Sequence, residues 1–242
     1  MRIRTIVYKE WEEALRNKLL LYTSFTPPLA FVAIMVVMVR QMIRAGLEQV
    51  PPQALAAVSA QFTLFLLMIP VILPTVMASY SIIGEKTSRS LEPLLATPVT
   101  VTEVMLGKGL AATVPAVLET WVAYVLTVVL THLLAGPTGT ALLVGPGFWL
   151  PVLLLAPPMA GLGVLLIMIV SSRVNDPRAA QQIGALVILP VLGLFLAQMF
   201  GRLSMTPPVV GVMFIGLVIA NYLLLKVAVP LFRRETILTR WK

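Results

Sequence analysis

Apolar residues in this chain fall in long, nearly unbroken runs, not in the alternating pattern of half-buried strands. Six runs reach roughly the 20 residues a membrane-spanning helix needs: 19–39, 61–83, 109–134, 148–170, 181–200 and 207–229. Each contains proline or glycine, which spanning helices tolerate where neighbours satisfy the freed backbone groups. The fourth carries Pro151, Pro157, Pro158, Gly161 and Gly163, and two readings stand for it: one continuous helix, or a broken or re-entrant one. Residues 1–18 follow another period. Ile3, Ile6, Val7, Trp11, Ala14 and Leu15 share one helical face and charges take the other, the pattern of an amphipathic helix. The spacing predicts a helix lying in the inner membrane interface, with Tyr8 and Trp11 at headgroup depth. The alternative is a helix packed on the cytoplasmic loops. Glu10, Glu12 and Glu13, with no small-residue cleavage site after the apolar run, separate it from a signal peptide.

Composition supports the membrane reading. Hydrophobic residues make up 59% of the chain and charged residues 12%, against about 25% charged in soluble domains. The formal charge is +8, but its basic residues sit in short clusters between apolar runs. That distribution orients membrane segments and gives no nucleic-acid surface. With the N-terminus inside, Arg2, Arg4, Lys9, Arg16, Lys18, Lys86, Arg89, Lys108, Arg173, Arg178, Lys226, Arg233, Arg234, Arg240 and Lys242 all fall on the cytoplasmic side. Only Arg40, Arg44 and Arg202 fall outside. An even number of spans follows, with both termini and residues 84–108 cytoplasmic, in a multi-pass protein of the cell membrane surrounded by lipid. The expected fold is an all-α membrane protein, a single transmembrane domain over 1–242. It has six transmembrane helices, an N-terminal interfacial amphipathic helix and a short cytoplasmic helix in the 84–108 loop.

Catalytic chemistry finds few residues to use. Cysteine is absent, so thiolate nucleophiles, thiolate metal sites and disulfides are excluded. The sole aspartate is Asp176 and the sole histidine His132. Paired aspartates holding magnesium cannot be built from one, and no metal ligand set is expected. Asp176, just before Pro177, reads as a turn or helix-start residue. No phosphate-binding loop is present: Lys108 follows Gly107, but Thr102 stands where the earlier glycine belongs and Gly109 where a serine or threonine belongs. The chain is therefore expected not to be an enzyme by itself and to hold no cofactor.

Two features remain. Glu119 is the one acid expected deep in a span, and an intramembrane ionisable group is costly enough to suggest function. It is read either as part of a translocation path or proton relay, or as a protonated or hydrogen-bonded group of the bundle interior. Thr120 belongs to a stripe of small or hydroxyl residues on the same span: Ala112, Ala116, Thr120, Ala123, Thr127 and Thr131. Such spacing lets helices approach closely. Asn221, in the last span, is a candidate for the path with Glu119 and Thr120, or else interhelical packing glue. The second feature is the polar segment 85–108, EKTSRSLEPLLATPVTVTEVMLGK. Ser90 can cap a helix that Glu92 favours near its N-terminus, and Pro98 ends it. Leu91, Leu94 and Leu95 share one side. Two turns are not stable alone in water, so this helix needs a partner, in its own chain or another.

The segment resembles the signature of the type-2 ATP-binding-cassette export permeases, in Glu85 and Lys86, Ser90, Leu91 and Glu92, Leu94 and Leu95, Pro98, and Gly107 with Lys108. SSRVNDPRAAQQIG, over 171–184, is similar to that family's short inner connection before span five. The resemblance implies that 85–108 is a coupling loop docking on a separate ATPase. Leu91, Leu94 and Leu95 would be buried anchors, Glu85, Arg89 and Glu92 would orient the contact, and Pro98 would end the helix. It also implies two ATPase copies that bind the ATP and magnesium, a second permease copy forming a homodimer, and outward transport. Three other readings of the chain stay open: an ion- or proton-coupled secondary carrier using Glu119, a cytochrome-biogenesis-type permease, and a non-transporting membrane assembly protein.

Overall fold

A computed structural model describes residues 2–44, 46, 52–87, 100–141, 143–174, 176–184, 186, 189, 192–193, 196–197 and 205–231. Among these, the regular structure is helical. We label the helices α1 (Arg2–Arg16), α2 (Lys18–Arg44), α3 (Pro52–Thr87), α4 (Val101–Ala141), α5 (Pro146–Ser171), α6 (Pro177–Gly184) and α7 (Pro207–Leu231). Five stretches are long and apolar enough to cross a membrane: Leu21–Arg44, Gln61–Glu85, Thr102–Ala141, Pro146–Ser171 and Pro207–Leu231. They correspond to expected spans one to four and six. Half of the expected span 181–200 lies outside the described residues; the rest is the end of α6 and scattered positions beyond it.

α3 is the central helix, with 72% of its most apolar window buried, whereas α7 is peripheral, at 6%. α3 packs most extensively on α5, and α5 in turn on α7, while α4 contacts both α2 and α3. Close approach rests on small residues. A Cβ on Gly163 of α5 would stand 3.0 Å from the Val71 carbonyl oxygen of α3, so the two backbones nearly touch. The small and hydroxyl stripe of α4 is buried throughout, from Ala112 and Ala116 to Thr127 and Thr131. Thr120 and Thr127 each donate to the carbonyl four residues back, at 2.7 Å. Their hydroxyls are thereby satisfied inside their own helix.

Among the described residues, most prolines within the spans do not break them. α5 is one continuous helix across Pro151, Pro157 and Pro158, which settles the two readings of the fourth run. A helix-interior proline strips a hydrogen bond from the carbonyl four residues earlier, and neighbouring side chains make good two such losses. Pro151 frees the Gly147 carbonyl, to which Thr63 of α3 donates at 3.5 Å. Pro115 frees the Ala111 carbonyl, to which the Trp11 indole N–H donates at 2.9 Å. Among the described residues the break lies in α4 at Gly136, directly before Pro137; its φ of 74° and ψ of −170° suit a residue without a Cβ and the extended backbone that a following proline favours.

Helix ends differ from the hydropathy runs. The third span was expected to begin at 109, but α4 begins at Val101. Thr100 caps it: its hydroxyl and backbone N–H donate to the Glu103 carboxylate at 2.9 and 2.8 Å, and Glu103 N–H donates back to Thr100 Oγ1 at 3.2 Å. This is a capping box, and it turns 101–108 from loop into helix. Asp176 starts α6 as expected, its Oδ1 accepting from Arg178 N–H at 2.9 Å. α7 opens on Pro207 and Pro208, which mark a helix start and not a kink.

Candidate functional site: an ion cluster at the base of the 85–108 segment

α1 does not present its apolar face away from the protein. Ile3, Ile6, Val7, Glu10, Trp11 and Ala14 turn inward, Tyr8 and Leu15 outward. The inward face lies chiefly on α4. The approach is so tight at Gly107 that a Cβ there would come within 2.7 Å of Ile6 Cγ2. Trp11 is half-buried and faces the bundle. Its indole N–H is drawn into the bundle by the carbonyl that Pro115 leaves free.

That docking brings together charges far apart in sequence. Lys108, on the second turn of α4, has 5% of its side chain exposed. Its ammonium lies 2.5 Å from Glu10 Oε1 of α1, 2.8 Å from Glu85 Oε2 at the end of α3, and 2.7 Å from the Ser81 hydroxyl. Ser81 in turn donates to Glu10 Oε2 at 2.6 Å. Lys9 closes the outer side, 3.2 Å from Glu85 Oε1 and 3.4 Å from Glu13. Lys108 thus donates hydrogen bonds to the Glu10 carboxylate and the Ser81 hydroxyl and is ion-paired with Glu85 as well, the kind of pairing a buried ammonium requires. At Lys9 burial alone would lower the pKa, but the carboxylates of Glu85, Glu13 and Glu10 outweigh it and raise it above the ordinary 10.5. Lys9 is therefore charged at neutral pH. An open groove of about 200 Å³ beside it is lined by Glu10, Glu13, Asn17, Ser81 and Lys108, among others.

Chemically the cluster is a clamp. Glu85 and Lys108 bracket the polar segment, so their ion pair fixes the separation of its two ends, and Glu10 ties α1 to the same point. Glu85, expected to orient a contact with another protein, instead faces inward. Arg89, Leu91, Glu92, Leu94, Leu95 and Pro98 lie outside the described residues. Sequence reasoning missed the cluster because Glu10 lies far along the chain from Glu85 and Lys108, and these two stand at opposite ends of the polar segment. The available signal was the Gly107–Lys108 pair, a close-approach residue beside a charge that had to be paired.

The other candidates are dispersed. Thr120 is spent on its own helix. Asn221 donates both amide hydrogens, to the Pro158 and Leu217 carbonyls at 2.8 Å each, tying α7 to α5. Glu119 is half-buried on α4, and its Oε2 has no hydrogen-bond partner among the described residues. Asn221 lines a cavity between α4, α5 and α7 whose described walls include neither Glu119 nor Thr120. The three do not form one described site. Among the described residues, no group of acids and histidines could hold a metal.

Comparison with curated proteins returns no match. Comparison with protein families gives one described as ABC-2 family transporter protein, which matches residues 45–225, about three-quarters of the chain. The match takes in four of the five described spans, the polar segment and both Glu85 and Lys108. The chain is a multi-pass membrane protein that belongs to the ABC-2 transporter family, as a membrane permease component and not a catalytic one.

Proposed function

We propose that this chain is the permease subunit of an exporter, energised by a separate ATPase that docks on residues 88–99. Family membership supports the permease role. The clamp of Glu85, Lys108 and Glu10 carries the rest, because it welds the base of the polar segment to three helices at once. A force applied to a segment held this way reaches α1, α3 and α4 together, as coupling to a nucleotide-driven partner demands. On this reading Leu91, Leu94 and Leu95 are the apolar anchors, Arg89 and Glu92 orient the contact, and Pro98 ends the short helix. Glu85 acts from inside, holding the segment in place. Two ATPase copies bind the ATP and magnesium, two permease copies enclose the path, and both termini are cytoplasmic. Glu119, Thr120 and Asn221 are placed along that path.

The test is copurification. Truncating a buried interface anchor commonly costs about 2 kcal/mol or more, roughly a thirtyfold loss of affinity at about 1.4 kcal/mol per decade. Leu94→Ala or Leu95→Ala is expected to lose the ATPase, or its substrate-stimulated hydrolysis, with the spans still inserted. Normal binding and coupling in Leu91, Leu94 and Leu95 variants alike would reduce the segment to a cap on the bundle.

A further inference from the structure

Between α4, α5 and α7 lies a cavity of about 290 Å³, near the lower end of the roughly 300–1,000 Å³ typical of ligand pockets. Met105, Leu106, Leu110, Leu165, Met168 and Leu225 make its walls apolar. Leu106, Leu110 and Tyr222, on its α4 and α7 rims, are exposed, so among the described residues it opens at the side of the bundle, which faces hydrocarbon if α4 and α7 span the membrane. Its polar groups are few: Thr113, Asn221 and Tyr222. Asn221 has spent both amide hydrogens on carbonyls, which leaves its oxygen as an acceptor.

The cavity's depth is fixed by its own walls. Met105, Leu106 and Gly109 flank Lys108, so this end of the cavity lies level with the ion cluster, and Leu225 of α7 lies level with them. The next residue, Lys226, is exposed, and its ammonium sits 4.5 Å from the centre of the Tyr222 ring. A cation–π contact of this kind holds an ammonium without neutralising it. In sequence Arg233 and Arg234 follow shortly after. The arrangement is an apolar slot open to the membrane with a fixed positive charge at its charged-end mouth.

We propose that this cavity binds an anionic membrane lipid from the leaflet on the ion-cluster side, one acyl chain in the slot and the phosphate at Lys226. Charge complementarity selects the occupant. A second copy of the chain packing on α7 would have to bury Lys226, whereas an anionic headgroup pairs it and leaves it at the interface, where lysine stems normally reach. The site is independent of the ATPase reading and of Glu119, and shares only Asn221 with the residues assigned to the path.

The experiment uses the full chain in nanodiscs with phosphatidylglycerol or phosphatidylcholine carrying a photoreactive group in the acyl chain, and maps the labelled peptides. The expected result is phosphatidylglycerol labelling concentrated on 105–113, 161–168 and 221–225, several-fold above phosphatidylcholine. K226Q should remove that preference while leaving residual labelling by both lipids, and T113F, which fills the slot, should remove labelling by both. Comparing the two lipids on the unaltered chain needs no substitution, so a variant that fails to fold does not decide the question. Equal labelling by the two lipids would overturn the headgroup assignment. Labelling spread evenly over all outward helix faces, or chain-to-chain cross-links through 222–226 in place of lipid adducts, would overturn the site.

Discussion

At the scale of single residues, Lys108 is the side chain on which most depends. Three partners from two other helices converge on an ammonium that water hardly reaches. Removing one member of a buried ion pair leaves its partners charged and unpaired, typically at a cost of about 3–5 kcal/mol. Lys108→Met should therefore lower the chain's thermal stability in detergent and release α1. The combination with Glu10→Gln should recover part of the loss, because apolar or neutral replacements of both partners are far cheaper than one orphan. A single variant as stable as the original, measured by thermal unfolding, would show that the cluster carries little energy. Glu119 poses the opposite case, a carboxyl oxygen without a partner among the described residues. If it lines the path, Glu119→Gln should preserve folding and assembly but change transport or its pH profile. Transport unchanged across pH would remove it from the path.

At the scale of elements, the contact between α1 and α4 is one whose face sequence periodicity described and whose partner it left open. Ile3, Ile6, Val7, Trp11 and Ala14 do form one face, but hydropathy does not say whether that face meets lipid or protein. The deciding residues lie elsewhere: Gly107, which admits Ile6, and Pro115, which leaves a carbonyl for Trp11. Gly107→Leu should force α1 away from α4, since even a single Cβ would stand 2.7 Å from Ile6. A cross-link between cysteines placed on α1 and α4 should then fall severalfold, and its survival at full yield would show the approach to be adaptable. The spans themselves were legible because length and hydrophobicity suffice to find them. Their ends were not, because the amphipathic first two turns of α4 and the polar end of α3 fall below any hydropathy threshold. The Thr100-x-x-Glu103 pattern was the signal for the former. The buried stripe on α4 was readable from side-chain size alone. Glu85 was not, since a charge beside a loop looks the same whether it turns in or out.

At the scale of the whole molecule, orientation rests on the basic residues. In this cysteine-free chain, single cysteines at Ser88, Thr138 and Thr239 should react with an impermeant reagent from outside only at 138. Labelling of 88 from outside would reverse the topology and remove the docking reading with it. The central helix gives that topology a mechanical meaning. α3 runs for 36 residues, about 54 Å at 1.5 Å per residue, well beyond the roughly 30 Å of a bilayer core. Pro70 and Pro74 stand one turn apart near its middle and remove two successive rungs from the same side of the helical ladder. The rod is thus soft at its centre and stiff at both arms. The pivot sits where Gly163 presses on the Val71 carbonyl, and the far arm ends at Glu85. A swing of about 10° at the pivot displaces the tip of an arm some 20 Å long by roughly 3–4 Å, given the same rise per residue. The clamp therefore rides on a crank: pulling the 88–99 segment can tilt one half of α3 while the other half stays seated in the core.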